Sequence, residues 1–123
     1  MNHSRPKNLN LFTIHFPIPA IVSILHRVSG AFLFLLIPVA LWGLEYSLTV
    51  SGFDDLQRLL GSPWVKIIFW LLFIPFCFHL VAGVRHLLSD IHIGDTLKLG
   101  RSMAWATFVI FGLFVILAGI WIW

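Results

Sequence analysis

"IIFWLLFIPFCFHLVAGV", residues 67–84, runs for eighteen residues without a charged side chain. As a helix rising 1.5 Å per residue it nearly matches the roughly 30 Å hydrocarbon core of a bilayer. Two further stretches repeat the pattern. "VSGAFLFLLIPVALWGL", residues 28–44, is closed by Glu45, and Met103 to Trp123 has no ionisable side chain. The chain of 123 residues is 59% hydrophobic and 11% charged, with a mean hydropathy of +0.97. Too little polar surface is available to cover a soluble domain of this size. The reading is an all-α membrane protein with three transmembrane helices, spanning about 24–47, 64–85 and 103–123.

Local signals refine these spans. Proline is favoured in a first helical turn, so the first helix should begin near Pro19. It would then run about 28 residues, or some 42 Å, and overshoot the hydrocarbon, leaving its first two turns in the interface. Pro38 is a candidate kink. Ser62 followed by Pro63 reads as an N-cap and first helical residue. Lys66 can snorkel to the headgroups, and Trp121 and Trp123 form an interfacial belt. "FDDLQRLL", residues 53–60, predicts a short interfacial helix between the first two spans. Residues 1–18 are expected to form a cytoplasmic, interfacial segment ahead of a membrane anchor over 19–123.

Charge and cysteine content narrow the function classes. The net charge is +3, but the basic residues are scattered and no nucleic-acid motif is present, which suits a membrane protein with basic ends. Cys77 is the single cysteine. That excludes an internal disulfide framework, a CxxCH haem attachment, and a cysteine-held iron–sulfur or zinc site. The N-terminus lacks the apolar run of a signal peptide directly after its basic residues. Small residues (Gly30, Ala31, Gly43, Ala82, Gly83, Gly112, Gly119) either permit close helix approach or act as ordinary spacers.

The polar residues within the spans carry the functional reading. His79 is the ionisable residue of the second span, about five residues from its end. A histidine there is costly unless it is hydrogen-bonded to a neighbouring helix, ligates a metal, or lines a wet path. His79, Gly83 and His86 fall at i, i+4 and i+7 on one face. A glycine one turn from a histidine leaves room for a flat group, and neutral imidazole is a standard axial ligand of haem iron. On the first helix Ser23, Arg27 and Gly30 share a face, with His26 adjacent. Arg27 can pair with carboxylates such as haem propionates, or snorkel to lipid phosphate. A low-spin b-type haem takes two axial ligands, and His79 is the well-buried candidate here. His26 lies beside Arg27 near the surface, so the second ligand is expected from another subunit.

These residues resemble a known family. "RPKNLNL…SILHRVSG" followed by "HLVAGVRHLLSD" is similar to the cytochrome b membrane-anchor subunit of succinate dehydrogenase, respiratory complex II, in its proteobacterial form. The matching positions are Arg5 and Pro6; Ser23, His26, Arg27 and Ser29; and His79, Gly83, Val84, Arg85, His86 and Asp90. The likeness covers essentially the whole chain. Lys7 and Ser89 depart from the family pattern at its flanks.

The resemblance implies that the three helices are half of a haem-binding bundle completed by a second hydrophobic anchor subunit. It implies that His79 is an axial ligand of haem b and that a histidine of the second anchor is the other. Ser23 and Arg27 would contribute to a ubiquinone pocket, and His26 and Arg27 would lie near the propionates. An iron–sulfur subunit and a flavoprotein subunit would be the remaining partners. Catalysis of succinate oxidation would lie outside this chain, which carries no residues for flavin or clusters. A bacterial inner-membrane location follows, within respiratory electron transfer and the tricarboxylic acid cycle. The sequence leaves open a quinol:fumarate reductase anchor, which runs the same chemistry in reverse, and a purely structural anchor without a redox role. A transporter subunit gains no support from the acid-free third span.

The basic residues predict orientation. Arg5, Lys7, Arg27, Arg85, Lys98 and Arg101 flank one side, against Arg58 and Lys66 on the other. By the positive-inside rule the N-terminus and the second loop face the cytoplasm and the C-terminus faces out. Reporter fusions at the two termini check this. A periplasm-active reporter at the N-terminus would reverse the arrangement.

Overall fold

A computed structural model describes residues 15–94 and 96–123. Arg5, Pro6 and Lys7, and with them most of the expected interfacial segment, lie outside the described residues. Among the described residues four helices follow one another: α1 (Ile18–Ser47), α2 (Gly52–Leu60), α3 (Pro63–Asp90) and α4 (Leu97–Ile122). Among the described residues α1, α3 and α4 are long and apolar enough to cross a membrane. This is an all-α, multi-pass membrane protein. The backbone takes this form because hydrocarbon offers no partners for free N–H and C=O groups, so each span must satisfy its own.

The helix starts follow proline chemistry. Pro17 stands at the N-cap of α1, with Pro19 in its first turn, and Pro63 opens α3. Ser62 occupies the N-cap position of α3, as expected, but its side chain makes no capping bond. Its extended backbone (φ −70°, ψ 132°) already suits the residue ahead of a proline. Thr96 does cap α4: Leu99 N–H donates to its Oγ1 at 3.3 Å, which starts that helix six residues ahead of the uncharged run. Pro38 and Pro75 lie inside α1 and α3, where transmembrane helices accommodate them.

The loops are short and built for direction. Tyr46 O–H donates to Asp55 Oδ2 at 3.0 Å and ties α2 to the end of α1. Gly52 opens α2 so close to the Tyr46 carbonyl that any Cβ would collide with it. At the end of α3, His92 N–H donates to the Ser89 carbonyl (3.0 Å) and Ile93 N–H to the Leu88 carbonyl (2.9 Å). That is the Schellman pattern. His92 holds the left-handed position at φ 63°, and Gly94 follows at φ 100°.

α3 is the central helix, packed against both α1 and α4. Val22, Phe78, Ala82 and Ala104 form the buried cluster where all three meet, flanked by Ile18, Phe108 and Phe111. Phe78 meets Phe111 edge-on at 5.3 Å between ring centres. At the opposite end Trp70 Nε1–H donates to the Val115 carbonyl at 3.0 Å. Gly119 lies flat against the Trp70 indole, and Lys66 Nζ sits 5.7 Å over the Trp123 ring. These contacts make α3 and α4 antiparallel. They put the start of α1 and the α3–α4 loop at one end of the bundle, and the α1–α2 loop and C-terminus at the other.

Candidate functional site

The end of the bundle that carries the start of α1 also carries an imidazole cluster. Val22, His26 and Ser29 sit at i, i+4 and i+7 of α1 and turn toward α3; Val22 and Ser29 are buried. The His26 ring stacks on the His79 ring, with 4.2 Å between centres and 11° between planes. The His86 ring, two turns beyond His79, lies 4.9 Å from the His26 ring at a 44° tilt.

His79 is held by α1. Its Nδ1 lies 3.1 Å from Ser29 Oγ and 3.1 Å from the His26 carbonyl oxygen. Ser29 O–H donates to that same carbonyl at 2.9 Å, a back-bond to the residue three positions earlier. The carbonyl can only accept, and an unprotonated Nδ1 would set two lone pairs facing across 3.1 Å. The arrangement is satisfied when Nδ1 carries the proton and donates. That tautomer leaves the lone pair on Nε2, which makes no hydrogen bond among the described residues.

Glycine makes this contact possible. A Cβ on Gly30 would stand 2.9 Å from His79 Cε1 and 3.4 Å from Nδ1. The imidazole therefore rests on bare backbone. Gly83 does the same for the opposite ring: a Cβ there would meet His26 Nε2 at 3.3 Å. The room beside Gly83, read from the sequence as space for a flat cofactor, is taken in this structure by the His26 imidazole.

The sequence-predicted residues thus divide into two groups. His26, Gly30, His79 and Gly83 come together in one contact. Ser23 is half-buried and Arg27 is exposed on the neighbouring strip of α1, and neither makes a side-chain hydrogen bond among the described residues. Arg27, Arg85 and Asp90 are the charged neighbours whose fields reach His86. His26, expected beside Arg27 near the surface, instead turns inward to His79. The i+4, i+7 spacing from Val22 puts it on the α3-facing stripe, and stacking fixes it there. Ser29, a motif position to which the sequence assigns no role, touches His79 directly.

The three imidazoles are not arranged to chelate. Among the described residues no three His, Cys, Asp or Glu side chains converge on a point that could hold a metal ion. What the cluster offers is one anchored imidazole with an unengaged Nε2. That donor chemistry fits a histidine that would hold a haem iron through one ring nitrogen while the other donates to the protein.

The fold and cluster define a three-span membrane subunit with a histidine pair at one end. The model of the succinate dehydrogenase/fumarate reductase transmembrane subunit family matches residues 1–119, and the chain belongs to that family. It is similar to the succinate dehydrogenase cytochrome b556 subunit of Coxiella burnetii, with 41% identity over 125 aligned positions and full coverage of both chains. The protein of that name from Rickettsia prowazekii is 33% identical, covering 87% of this chain and 84% of its own. The one from Rickettsia bellii is 32% identical, covering 94% and 90%.

The close seat of His79 on Gly30 yields a stability prediction. Gly30→Ala forces the stacked imidazole to shift, and overpacking of this kind costs about 1–3 kcal/mol. Gly112→Ala meets nothing within 4 Å and is expected to be neutral or mildly stabilising. Thermal unfolding of the solubilised protein with its membrane partners compares the two. Equal melting behaviour would remove the steric account of the His79 seat.

Proposed function

We propose that this chain is the cytochrome b membrane anchor of a bacterial succinate:ubiquinone oxidoreductase. It holds haem b with a second hydrophobic anchor subunit and forms part of the ubiquinone-reduction site. The observation that carries this reading is His79, anchored through Nδ1 to α1 with its Nε2 lone pair unengaged. The name cytochrome b556 borne by the similar proteins supports the haem, and their description as succinate dehydrogenase favours that direction over fumarate reduction. The complex would include an iron–sulfur subunit and a flavoprotein subunit. It would sit in the inner membrane with the N-terminus cytoplasmic and the C-terminus periplasmic.

The overall reaction balances as succinate plus ubiquinone giving fumarate plus ubiquinol, with two electrons and two protons transferred. Haem b supplies a one-electron redox centre when bound. In this reading His79 and a histidine of the second anchor would hold the haem iron through their imidazole nitrogens. His26 covers one face of the His79 ring and keeps its plane fixed. His26 and Arg27 supply polar groups toward the propionates. Ser23 and Arg27 stand one turn apart near the emerging end of α1, at a depth a quinone head group can share with a cluster outside the membrane. A quinone carbonyl gains electron density on reduction. A hydroxyl and a guanidinium beside it stabilise that charge and help direct protons to the oxygen.

Two measurements test this reading. His79→Ala is expected to perturb the low-spin haem spectrum far more than His86→Ala or His92→Ala, read as haem content and spin state in the purified complex. An unchanged low-spin spectrum in the His79 variant would remove the ligand assignment. Ser23→Ala and Arg27→Leu are expected to impair quinone reduction, with succinate oxidation by an artificial acceptor at the flavin or clusters largely retained. Loss of a hydrogen bond to developing charge costs about 2–4 kcal/mol in a dry site, or roughly 30- to 1000-fold in rate. Leucine at 27 keeps apolar bulk and removes charge. The artificial-acceptor assay controls for assembly. Normal turnover and affinity for ubiquinone in both variants would move the pocket elsewhere.

A further inference from the structure

We propose that Ser29 is a positioning residue for the axial imidazole: with the His26 carbonyl it fixes the tautomer and orientation of His79 and lowers the reduction potential of the haem. The inference rests on the reading of His79 as the iron ligand.

Ser29 is buried at 6% exposure within an apolar helix. A buried hydroxyl there must spend its hydrogen-bonding capacity within the chain. Its proton goes to the His26 carbonyl at 2.9 Å, which leaves its oxygen lone pairs free to accept. One of them faces His79 Nδ1 at 3.1 Å, across the helix interface and fifty residues away in sequence. The His26 carbonyl lies at the same 3.1 Å from Nδ1. Two acceptors therefore share one N–H, and the donated Ser29 proton polarises the triangle that they form.

An imidazole that donates more fully through Nδ1 is a stronger electron donor through Nε2. It stabilises the oxidised iron and lowers the reduction potential. The second acceptor also removes rotational freedom. With Nδ1 pinned at two points, His26 stacked on one face and Gly30 against its edge, the ring plane has one orientation. Low-spin ferric haem reports that orientation in its electron paramagnetic resonance spectrum. These effects act on the ligand, not on the reacting quinone, so they separate Ser29 from Ser23 and Arg27.

The test uses the complete complex with its partner subunits, carrying Ser29→Ala or Ser29→Thr. Threonine can retain the hydroxyl and its back-bond to the carbonyl of residue 26. The readouts are haem per complex, the midpoint potential from a redox titration, and the low-spin ferric resonance. Ser29→Ala is expected to keep its haem, because His79 and the carbonyl remain. Its midpoint potential is expected to rise and its resonance to shift or broaden, with Ser29→Thr staying near the parent protein. Parent-like potential and resonance in Ser29→Ala would overturn the proposal. So would loss of haem and assembly in both variants, which would assign Ser29 to packing alone. His79→Ala, measured alongside, keeps the two ideas apart. An unchanged low-spin spectrum there defeats the ligand reading itself, whereas a lost one with an unresponsive Ser29→Ala defeats only the role of Ser29.

Discussion

The contact from His79 Nδ1 into α1 sets the terms for the rest of this molecule. An imidazole within an apolar span must find partners in the chain, because the bilayer supplies none. It finds them in a serine hydroxyl and a backbone carbonyl at 3.1 Å each. A helix carbonyl is normally engaged by its own helix, and His26 O is in addition shared between the Ser29 hydroxyl and the His79 imidazole. Interhelical hydrogen bonds of this kind contribute on average about 0.6 kcal/mol in membrane proteins. Their larger effect is on register, since one helix must meet the other at a single residue.

Register in turn determines where glycine is needed. For His79 to reach the backbone of α1, the residue after Ser29 can carry no side chain on that side, and Gly30 satisfies this. For His26 to lie over His79, the residue one turn along α3 must also be small, and Gly83 satisfies that. The two glycines are reciprocal seats, each receiving the histidine of the other helix. The same device recurs at the far end of the bundle, where Gly119 receives the Trp70 indole that bonds to Val115. Large polar-tipped rings settle onto glycine backbones at both ends, and Val22, Phe78, Ala82 and Ala104 fill the space next to the histidine end.

Much of this was legible in the sequence, for identifiable reasons. Three uncharged runs predict three spans because the energetic penalty for charge in hydrocarbon is large and leaves gaps no other constraint fills. The α2 helix was legible from its acidic start and mixed polarity. His79 stood out because no other ionisable residue shares its apolar run. The role of His26 was not legible. Its neighbour Arg27 suggested a surface position, and a difference of one residue on a helix is 100° of rotation. Ser29 was hidden differently: a serine that bonds back to its own helix looks neutral in sequence, and its contact to residue 79 spans fifty positions. The extended start of α4 was missed because its first turns are polar, and hydropathy cannot separate a helical turn outside the hydrocarbon from a loop.

The location of the cluster has a physical logic of its own. In the most apolar stretch of each span the buried share is small, 11% for α1 and α4 and 22% for α3. Most of these helical surfaces are therefore built to meet lipid or other helices. A polar cluster at mid-depth on such a thin bundle would face hydrocarbon across at most one layer of side chains. Near the end where α1 begins and α3 finishes, charged groups can stand close by without leaving the interface: Arg27, Arg85 and Asp90 all act on His86. The stacked His26–His79 pair thus lies between an apolar core and a charged rim. On the proposed reading, that gradient is what a redox centre at a membrane edge needs. The apolar side fixes the ligand and excludes water, while the charged side holds anionic groups and brings protons within reach of a quinone.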